Sequence, residues 1–340
     1  MAHDPDIFRW GVIGPGGIAN RFAGALAAVP GARLAAVFAR DVAKGQAYAA
    51  QWQREGEAPA RVTTALADLL ADPAVDAVYI ATPHSHHGEY VRAALSAAKP
   101  VLCEKPLVTT RTEGQALVEL ARERGVFLME ALWTRFLPAY ELAGRLLREG
   151  AIGELRAMQS SFCFASSYDP LHRQWNPALA GGSLWDIGIY NLAVTRWVLQ
   201  QMNGGTCPEP VSIDVAAKLA PTGVDAAVTA TLHFPGGVTS QFRCGFDGPS
   251  VNAFEALGTR AALRFPVDFW QAEAVELVTR KAPAERLEAP FAVNGFEGEI
   301  AEAQACIRAG RVESPRMPHA ETLALLGWMD AIRARFPAAA

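Results

Sequence analysis

Phe8-Arg9-Trp10-Gly11-Val12-Ile13-Gly14-Pro15-Gly16-Gly17-Ile18-Ala19 is the stretch on which the fold turns. It reads as a short apolar strand ending in glycine, a tight loop, and the start of an alanine-rich helix over 18–29, stopped by Pro30-Gly31. The loop has the spacing G-x-G-x-x-A. Gly14 permits a tight turn, Gly16 lets backbone approach a pyrophosphate, and Ala19 lets the helix pack closely on the strand. Gly17 and Ile18 open the helix, whose N-terminal N–H groups and positive dipole end favour an anion. The spacing alone is weak evidence. Its position between strand and helix is the context that a nucleotide-binding loop requires.

The same alternation continues outward. Further strands read at 33–39, 61–63, 75–82, 101–104 and 126–132, and helices at 42–53, 66–70, 89–97 and 112–124. Near-continuous apolar strands alternating with helices predict a parallel sheet covered on both faces, a doubly wound Rossmann fold. Beyond it the pattern changes. A helix at 139–149 precedes extended stretches at 155–164, 211–219, 226–234, 238–244, 252–258, 261–265 and 274–278. One helix over 184–199 interrupts them, and helices return at 297–308 and 320–335. This predicts an α+β domain on a large, mostly antiparallel open sheet. The expected division is 1–126 for dinucleotide binding and 127–340 for substrate binding and dimerisation. A chain of 340 residues also fits about two domains by length. One sheet face is expected to be apolar and uncovered unless a second subunit packs on it, which points to a homodimer.

Composition limits the function. Hydrophobic residues make up 51% and charged residues 19%, which excludes intrinsic disorder. The net charge of −4 argues against a general nucleic-acid binder, and no apolar run approaches the roughly 18 residues of a membrane span. The start, Met1-Ala2-His3-Asp4-Pro5-Asp6, lacks the basic and apolar regions of a secretory leader. Five widely spaced cysteines without Cys-x-x-Cys argue against a disulfide framework and fit a reducing cytoplasm.

Three later segments and the end of the second strand carry the chemistry. That strand ends Phe38-Ala39-Arg40-Asp41, with Lys44 one turn on. A guanidinium at its tip can fork to a 2′-phosphate, which favours NADP over NAD, although Asp41 could instead hold ribose hydroxyls or cap the next helix. Cys103-Glu104-Lys105-Pro106 follows a strand whose carboxyl end opens toward the ligand crevice, where a lysine can act as an acid–base group. Gly181-Gly182-Ser183-Leu184-Trp185-Asp186-Ile187-Gly188-Ile189-Tyr190 sets a carboxylate and a phenol four apart on one helix face. Together they could bind a diol or carbonyl compound. In Ala81-Thr82-Pro83-His84-Ser85-His86-His87, the histidines lack a standard metal-ligand spacing, so no metal is expected. His84 and His87 read as lining the crevice, and His86 as exposed.

These motifs in this order resemble the Gfo/Idh/MocA oxidoreductases, and the resemblance spans nearly the whole chain. Met129-Glu130-Ala131-Leu132-Trp133-Thr134-Arg135-Phe136-Leu137-Pro138, with Tyr190, His84 and Arg40, is similar to the subset of dimeric dihydrodiol dehydrogenases and NADP-dependent D-xylose dehydrogenases. The resemblance implies an NADP-dependent oxidoreductase acting on a hydroxyl or carbonyl carbon of a sugar, cyclic polyol or trans-dihydrodiol. It implies Lys105 and Tyr190 as proton-handling residues, Asp186 as a binder of substrate hydroxyls, and His87 as a support. Cofactor contacts then fall to Gly14, Gly16, Gly17, Ile18, Ala19, Arg40, Thr82, His84, Glu104, Lys105, Trp133 and Arg135. A glycosidase that regenerates its bound cofactor, and a silent NADP(H)-binding sensor, are the rival readings.

Overall fold

The computed structural model describes residues 6–337, so the stretch Met1–Pro5 read above for a leader lies outside the described residues. The chain folds as two compact units. The first runs to Trp133 and regains Ala292–Leu323; the second holds Thr134–Phe291 and the chain from Ala324.

In the first unit, β1 (Phe8–Ile13), β2 (Ala32–Phe38), β3 (Arg61–Thr63), β4 (Ala77–Ile80), β5 (Val101–Glu104) and β6 (Leu128–Ala131) form one sheet in the order β3-β2-β1-β4-β5-β6. Every pairing is parallel, with Val12 opposite Val37 and Ile13 opposite Ile80. The connections are α1 (Gly17–Leu26), α2 (Val42–Gln51), α3 (Leu66–Leu70), α4 (His87–Ser96) and α5 (Arg111–Arg124). Strands β4 and β5 are buried at every residue, as helices on both faces demand. Helix α1 buries the stripe Ala19, Phe22, Ala23 and Leu26, and Phe22 stacks on Tyr79 with centroids 3.9 Å apart. Helix α5 is bounded by the Thr110 hydroxyl, which accepts from the Glu113 N–H, and by Gly125 in the left-handed region. The strand order reverses between β1 and β4, which opens a crevice at their carboxyl ends.

The second unit is built on an eight-stranded sheet: β7 (Leu155–Cys163), β8 (Ser212–Leu219), β9 (Asp225–His233), β10 (Thr239–Gly245), β11 (Phe254–Gly258), β12 (Ala262–Phe265), β13 (Ala274–Thr279) and β14 (Ala282–Glu288). Their order is β14-β13-β12-β11-β7-β10-β9-β8, antiparallel throughout except for β7 with β10. Helices α6 (Pro138–Arg148) and α7 (Ile189–Met202) pack on each other, and α7 lies on β7 and β10. Tyr140 stacks on Phe265 at 4.5 Å and donates its hydroxyl to the Phe269 carbonyl at 3.1 Å.

Three features depart from expectation. The helix expected over 184–199 opens as a π turn, Leu184–Gly188, before α7 begins. Gly188 lies so close to β10 that a Cβ there would stand 2.8 Å from Cys244 Sγ, so the widened turn is pressed onto the sheet. Strand β14 was not expected, because Ala-Pro-Ala-Glu-Arg-Leu-Glu has neither apolar alternation nor a buried face. The outward sheet face is polar rather than apolar: a hollow of about 450 Å³ on it is lined by Gln159, Ser161, Thr229, Gln241, Arg243 and Glu255 among others. After the second unit, α8 (Glu297–Arg308) returns to pack on α1, where Trp10 Nε1 donates to Gln304 Oε1 at 3.1 Å. The last helix, α9 (His319–Arg333), follows. Among the described residues, no helix is long and apolar enough to cross a membrane.

Candidate active site

At the end of β1, Gly14 has φ +88°, and a Cβ there would lie 2.9 Å from Thr82 Cγ2 and 3.0 Å from the Ala81 carbonyl oxygen. Only glycine fits this turn. Gly16 and Gly17 are different: a Cβ on either meets nothing within 4 Å. Gly16 is the N-cap of α1 and no side chain caps the helix, so its N-terminus is presented to open space. Ala19 is fully buried, and its carbonyl accepts the Tyr48 hydroxyl at 2.7 Å. Ile18 is 36% exposed and stands outside the lining of the adjoining cavity.

That cavity, of about 250 Å³, is bounded by Gly14, Gly16, Arg40, Lys44, Thr82, His86 and Tyr90 among others. Arg40 and Lys44 are exposed and set two cations at its edge. Asp41 caps α2: its Oδ1 accepts from the Ala43 N–H at 2.9 Å and the Lys44 N–H at 3.3 Å. Thr82 Oγ1 is buried without a hydrogen-bond partner. An open glycine cradle, an uncapped helix N-terminus, two cations and an orphaned hydroxyl suit a dinucleotide phosphate and ribose. His86 and Tyr90 were not foreseen as lining residues. Their i,i+4 spacing across the entry to α4, in the segment that follows β4, is the signal that marks them.

A second cluster lies one strand along. Glu104 is buried at the end of β5, where its Oε1 accepts the Tyr79 hydroxyl at 2.6 Å and its Oε2 accepts the Lys105 N–H at 3.2 Å. Burial pushes the Glu104 pKa up, with the Lys105 charge opposing. Lys105 is half-buried, and the peptide bond to Pro106 is cis. His87 is fully buried, its Nδ1 2.8 Å from the Pro106 carbonyl oxygen and its Nε2 2.9 Å from that of Thr82. Its two ring nitrogens thus lie against carbonyls of the loop after β5 and the loop after β4, and the neutral ring donates its one N–H to one of them. Burial lowers its pKa, and the nearby Lys105 charge adds to this. The His84 ring stands 5.7 Å from that of His87. Trp133 is buried, with the Arg21 guanidinium 4.7 Å above its ring. Among the described residues, no group of three or more His, Cys, Asp or Glu side chains is arranged to hold a metal.

In the second unit, Asp186 lies in the π turn and Tyr190 in the first turn of α7. Both are buried, and the four-residue spacing between them crosses from the π turn into the α-helix. Asp186 Oδ1 accepts from Arg173 at 3.0 Å, and half of the Arg173 side chain remains exposed. The Tyr190 ring lies 5.7 Å from Phe162. Arg135 is in this unit, donating to Gln200 Oε1 at 2.6 Å, whereas Trp133 belongs to the first.

A parallel sheet in this order, with a bare glycine cradle at its switch point, defines a dinucleotide-binding domain of the Rossmann class. The model of the oxidoreductase family with an NAD-binding Rossmann fold matches residues 8–132, and the Gfo/Idh/MocA C-terminal domain matches 140–264. The chain belongs to the Gfo/Idh/MocA family. It is 35% identical over 326 residues to trans-1,2-dihydrobenzene-1,2-diol dehydrogenase of Mus musculus, covering 92% of each chain. It is 33% identical over 334 residues to the Homo sapiens enzyme of that name, covering 96% of each. Among solved structures, aldose-aldose oxidoreductase from Caulobacter crescentus superposes with a TM-score of 0.83 at 27% identity, covering 96% of this chain and 97% of that one. A 3-ketoreductase from Actinomadura kijaniata, in complex with NADP and TDP-benzene, gives 0.83 at 28%, covering 97% and 98%.

Proposed function

We propose that the protein uses NADP(H) to interconvert a hydroxyl and a carbonyl on a sugar, cyclic polyol or trans-dihydrodiol. The observation that carries the cofactor choice is the pair of cations, Arg40 and Lys44, at the edge of the nucleotide cavity, where Asp41 is committed to capping α2. The relatives' names, a diol dehydrogenase, an aldose oxidoreductase and a ketoreductase, support the substrate class.

The N–H groups of Gly17 and Ile18 would hold the pyrophosphate, while the Gly16 N–H closes the turn onto the Gly14 carbonyl at 2.8 Å and Ala19 sets the helix packing. Arg40 would fork to the 2′-phosphate. Thr82, His84, Glu104, Trp133 and Arg135 would border the remainder of the cofactor. When bound, the nicotinamide supplies or accepts the hydride. The chain's own residues manage the proton. In oxidation the reacting hydroxyl loses its proton to Lys105 or Tyr190, and in reduction the same group returns a proton to the carbonyl oxygen. Asp186 accepts hydrogen bonds from neighbouring substrate hydroxyls. His87 would support the Lys105 loop by donating its Nδ1–H to the Pro106 carbonyl oxygen, 2.8 Å away.

The test is turnover of the purified protein with NADP⁺ and NAD⁺ against aldoses, inositols and cyclic trans-diols, followed by nicotinamide absorbance. The expected outcome is turnover with NADP⁺ on one substrate class. Lys105→Ala and Tyr190→Phe should each lower kcat by about 10²–10⁴-fold while NADPH still binds. Near-normal turnover in Lys105→Ala would overturn the assignment.

The proposal extends to a homodimer formed through the outward face of the eight-stranded sheet, with polar rather than apolar matching. Arg243 paired with Asp247, and Arg264 with Glu255, supply alternating charges there. The solution mass at rising salt tests it, since a polar interface should weaken as ions screen it. The cytoplasm is the proposed compartment, in keeping with five widely spaced cysteines and no Cys-x-x-Cys, and fractionation of the source cells checks it.

A further inference from the structure

We infer that Asp225 is a positioning residue for the reaction, holding the π turn that presents Asp186 and Tyr190. The inference rests on the functional reading above. Asp225 opens β9, far in sequence from the turn, and is 1% exposed. Its Oδ2 accepts the Ser183 hydroxyl at 2.9 Å and the Leu184 N–H at 2.7 Å. Ser183 is the N-cap of the π turn and makes no cap bond of its own, so a carboxylate from the sheet serves the helix N-terminus instead.

The other oxygen, Oδ1, is buried without a hydrogen-bond partner. The cation nearest to it is Arg333 of α9, at 3.7 Å. The Arg333 guanidinium lies 3.8 Å from the centroid of the Trp185 ring, and Trp185 is the residue before Asp186. A carboxylate, a guanidinium and an indole thus grip the turn from the sheet, from the last helix and from within the turn itself. Burial raises the Asp225 pKa, opposed by the Leu184 and Ser183 donors and by Arg333. Gly182, with φ +122°, completes the arrangement: a Cβ there would stand 2.4 Å from Asp225 Oδ1. The glycine leaves the space that this carboxylate occupies.

The function of such a brace is angular. Asp186 and Tyr190 lie one and five residues beyond the segment clamped at Ser183, Leu184 and Trp185. Loosening the clamp swings both side chains together. Misplacement of reacting groups on the order of 1 Å can cost about 10²-fold in rate.

The experiment compares wild type with Asp225→Asn, Arg333→Met and Arg333→Lys, using the substrate found in the turnover panel. Thermal unfolding, NADPH affinity, KM and kcat are measured for each. Asp225→Asn keeps the shape and removes the charge. It should lower kcat by about 10- to 100-fold while NADPH affinity, whose glycine cradle and Arg40 lie in the other unit, is unchanged. Arg333→Met should show a smaller fall in kcat of the same kind, and Arg333→Lys should restore part of it. Asp225→Asn and Arg333→Met variants that fold and keep wild-type kcat and KM would overturn the inference, as would losses that merely follow the fraction unfolded. Either result leaves the oxidoreductase reading intact if Tyr190→Phe is inactive. If wild type itself turns over nothing while binding NADPH, the functional reading fails first, and the positioning role fails with it.

Discussion

Two glycine-led turns open two helices in this protein, and they use glycine for opposite ends. At Gly14–Gly17 the second and third glycines border open space, and α1 begins with no side-chain cap. At Gly181–Gly182 a Cβ would strike the Gln174 carbonyl oxygen at 2.6 Å or the Asp225 carboxylate at 2.4 Å. The first turn leaves its N-terminal donors to an anion from outside; the second gives them to an anion from the chain itself. Similar glycine-rich strings therefore read as a binding cradle in one unit and as a structural lock in the other. What separates them is whether the missing side chain leaves a space or admits a neighbour.

The largest effect that could break this comparison is on stability. Gly182→Ala should cost about 3 kcal/mol or more, since it combines a disfavoured φ with a clash against a buried carboxylate, and denaturant unfolding measures it. Next is a buried carboxylate that serves no helix N-terminus. Glu130 accepts the Leu107 N–H at 2.8 Å and the Thr322 hydroxyl at 2.9 Å, and burial pushes its pKa up to about 7. A raised folded-state pKa gives stability that is full below the unfolded value of 4.5 and lost as pH rises through about 7. Up to about 3 kcal/mol is at stake, and Glu130→Gln should flatten the melting temperature across that window. An unchanged profile would remove Glu130 as the titrating group.

Smaller effects fall on the cradle. Arg40→Ala should weaken NADPH by about 1.5–3 kcal/mol, roughly 10- to 100-fold, and leave NADH alone. Equal losses for both would remove the 2′-phosphate role. Gly16→Ala is the mildest, because Gly16 has φ −103° and nothing near its Cβ position. It should keep the wild-type melting temperature and raise the NADPH Kd by about tenfold, a change of roughly 1.4 kcal/mol. A Gly16→Ala protein destabilised as much as Gly182→Ala would erase the distinction between the two turns.

The parallel sheet was legible because its strands are apolar without interruption, as at Ala77–Ile80, and end at glycine, proline or charge. Lys105, Asp186 and Tyr190 were legible as candidates because strand ends and an i,i+4 spacing are local facts. The π turn was not, since it depends on Gly188 meeting Cys244 across the fold. Nor was the polarity of the outward sheet face, because alternating Ala, Ser and Thr do not declare which side faces water. The return of Ala292–Leu323 to the first unit also lay beyond reach: periodicity marks α8 as a helix but not the neighbour it covers. The bond between Trp10 and Gln304 records that neighbour only once the chain is folded.

Strand β14 has a last consequence, for behaviour in concentrated solution. It ends the eight-stranded sheet, pairs with β13 alone, and carries Pro283, Glu285, Arg286 and Glu288 exposed. At the opposite margin, β8 turns Asp214, Ala216 and Lys218 outward less uniformly, with Asp214 held 2.8 Å from His233. A proline without an N–H and a row of charges make a poor template for a ninth strand. The sheet thus resists growing edge-on into fibres.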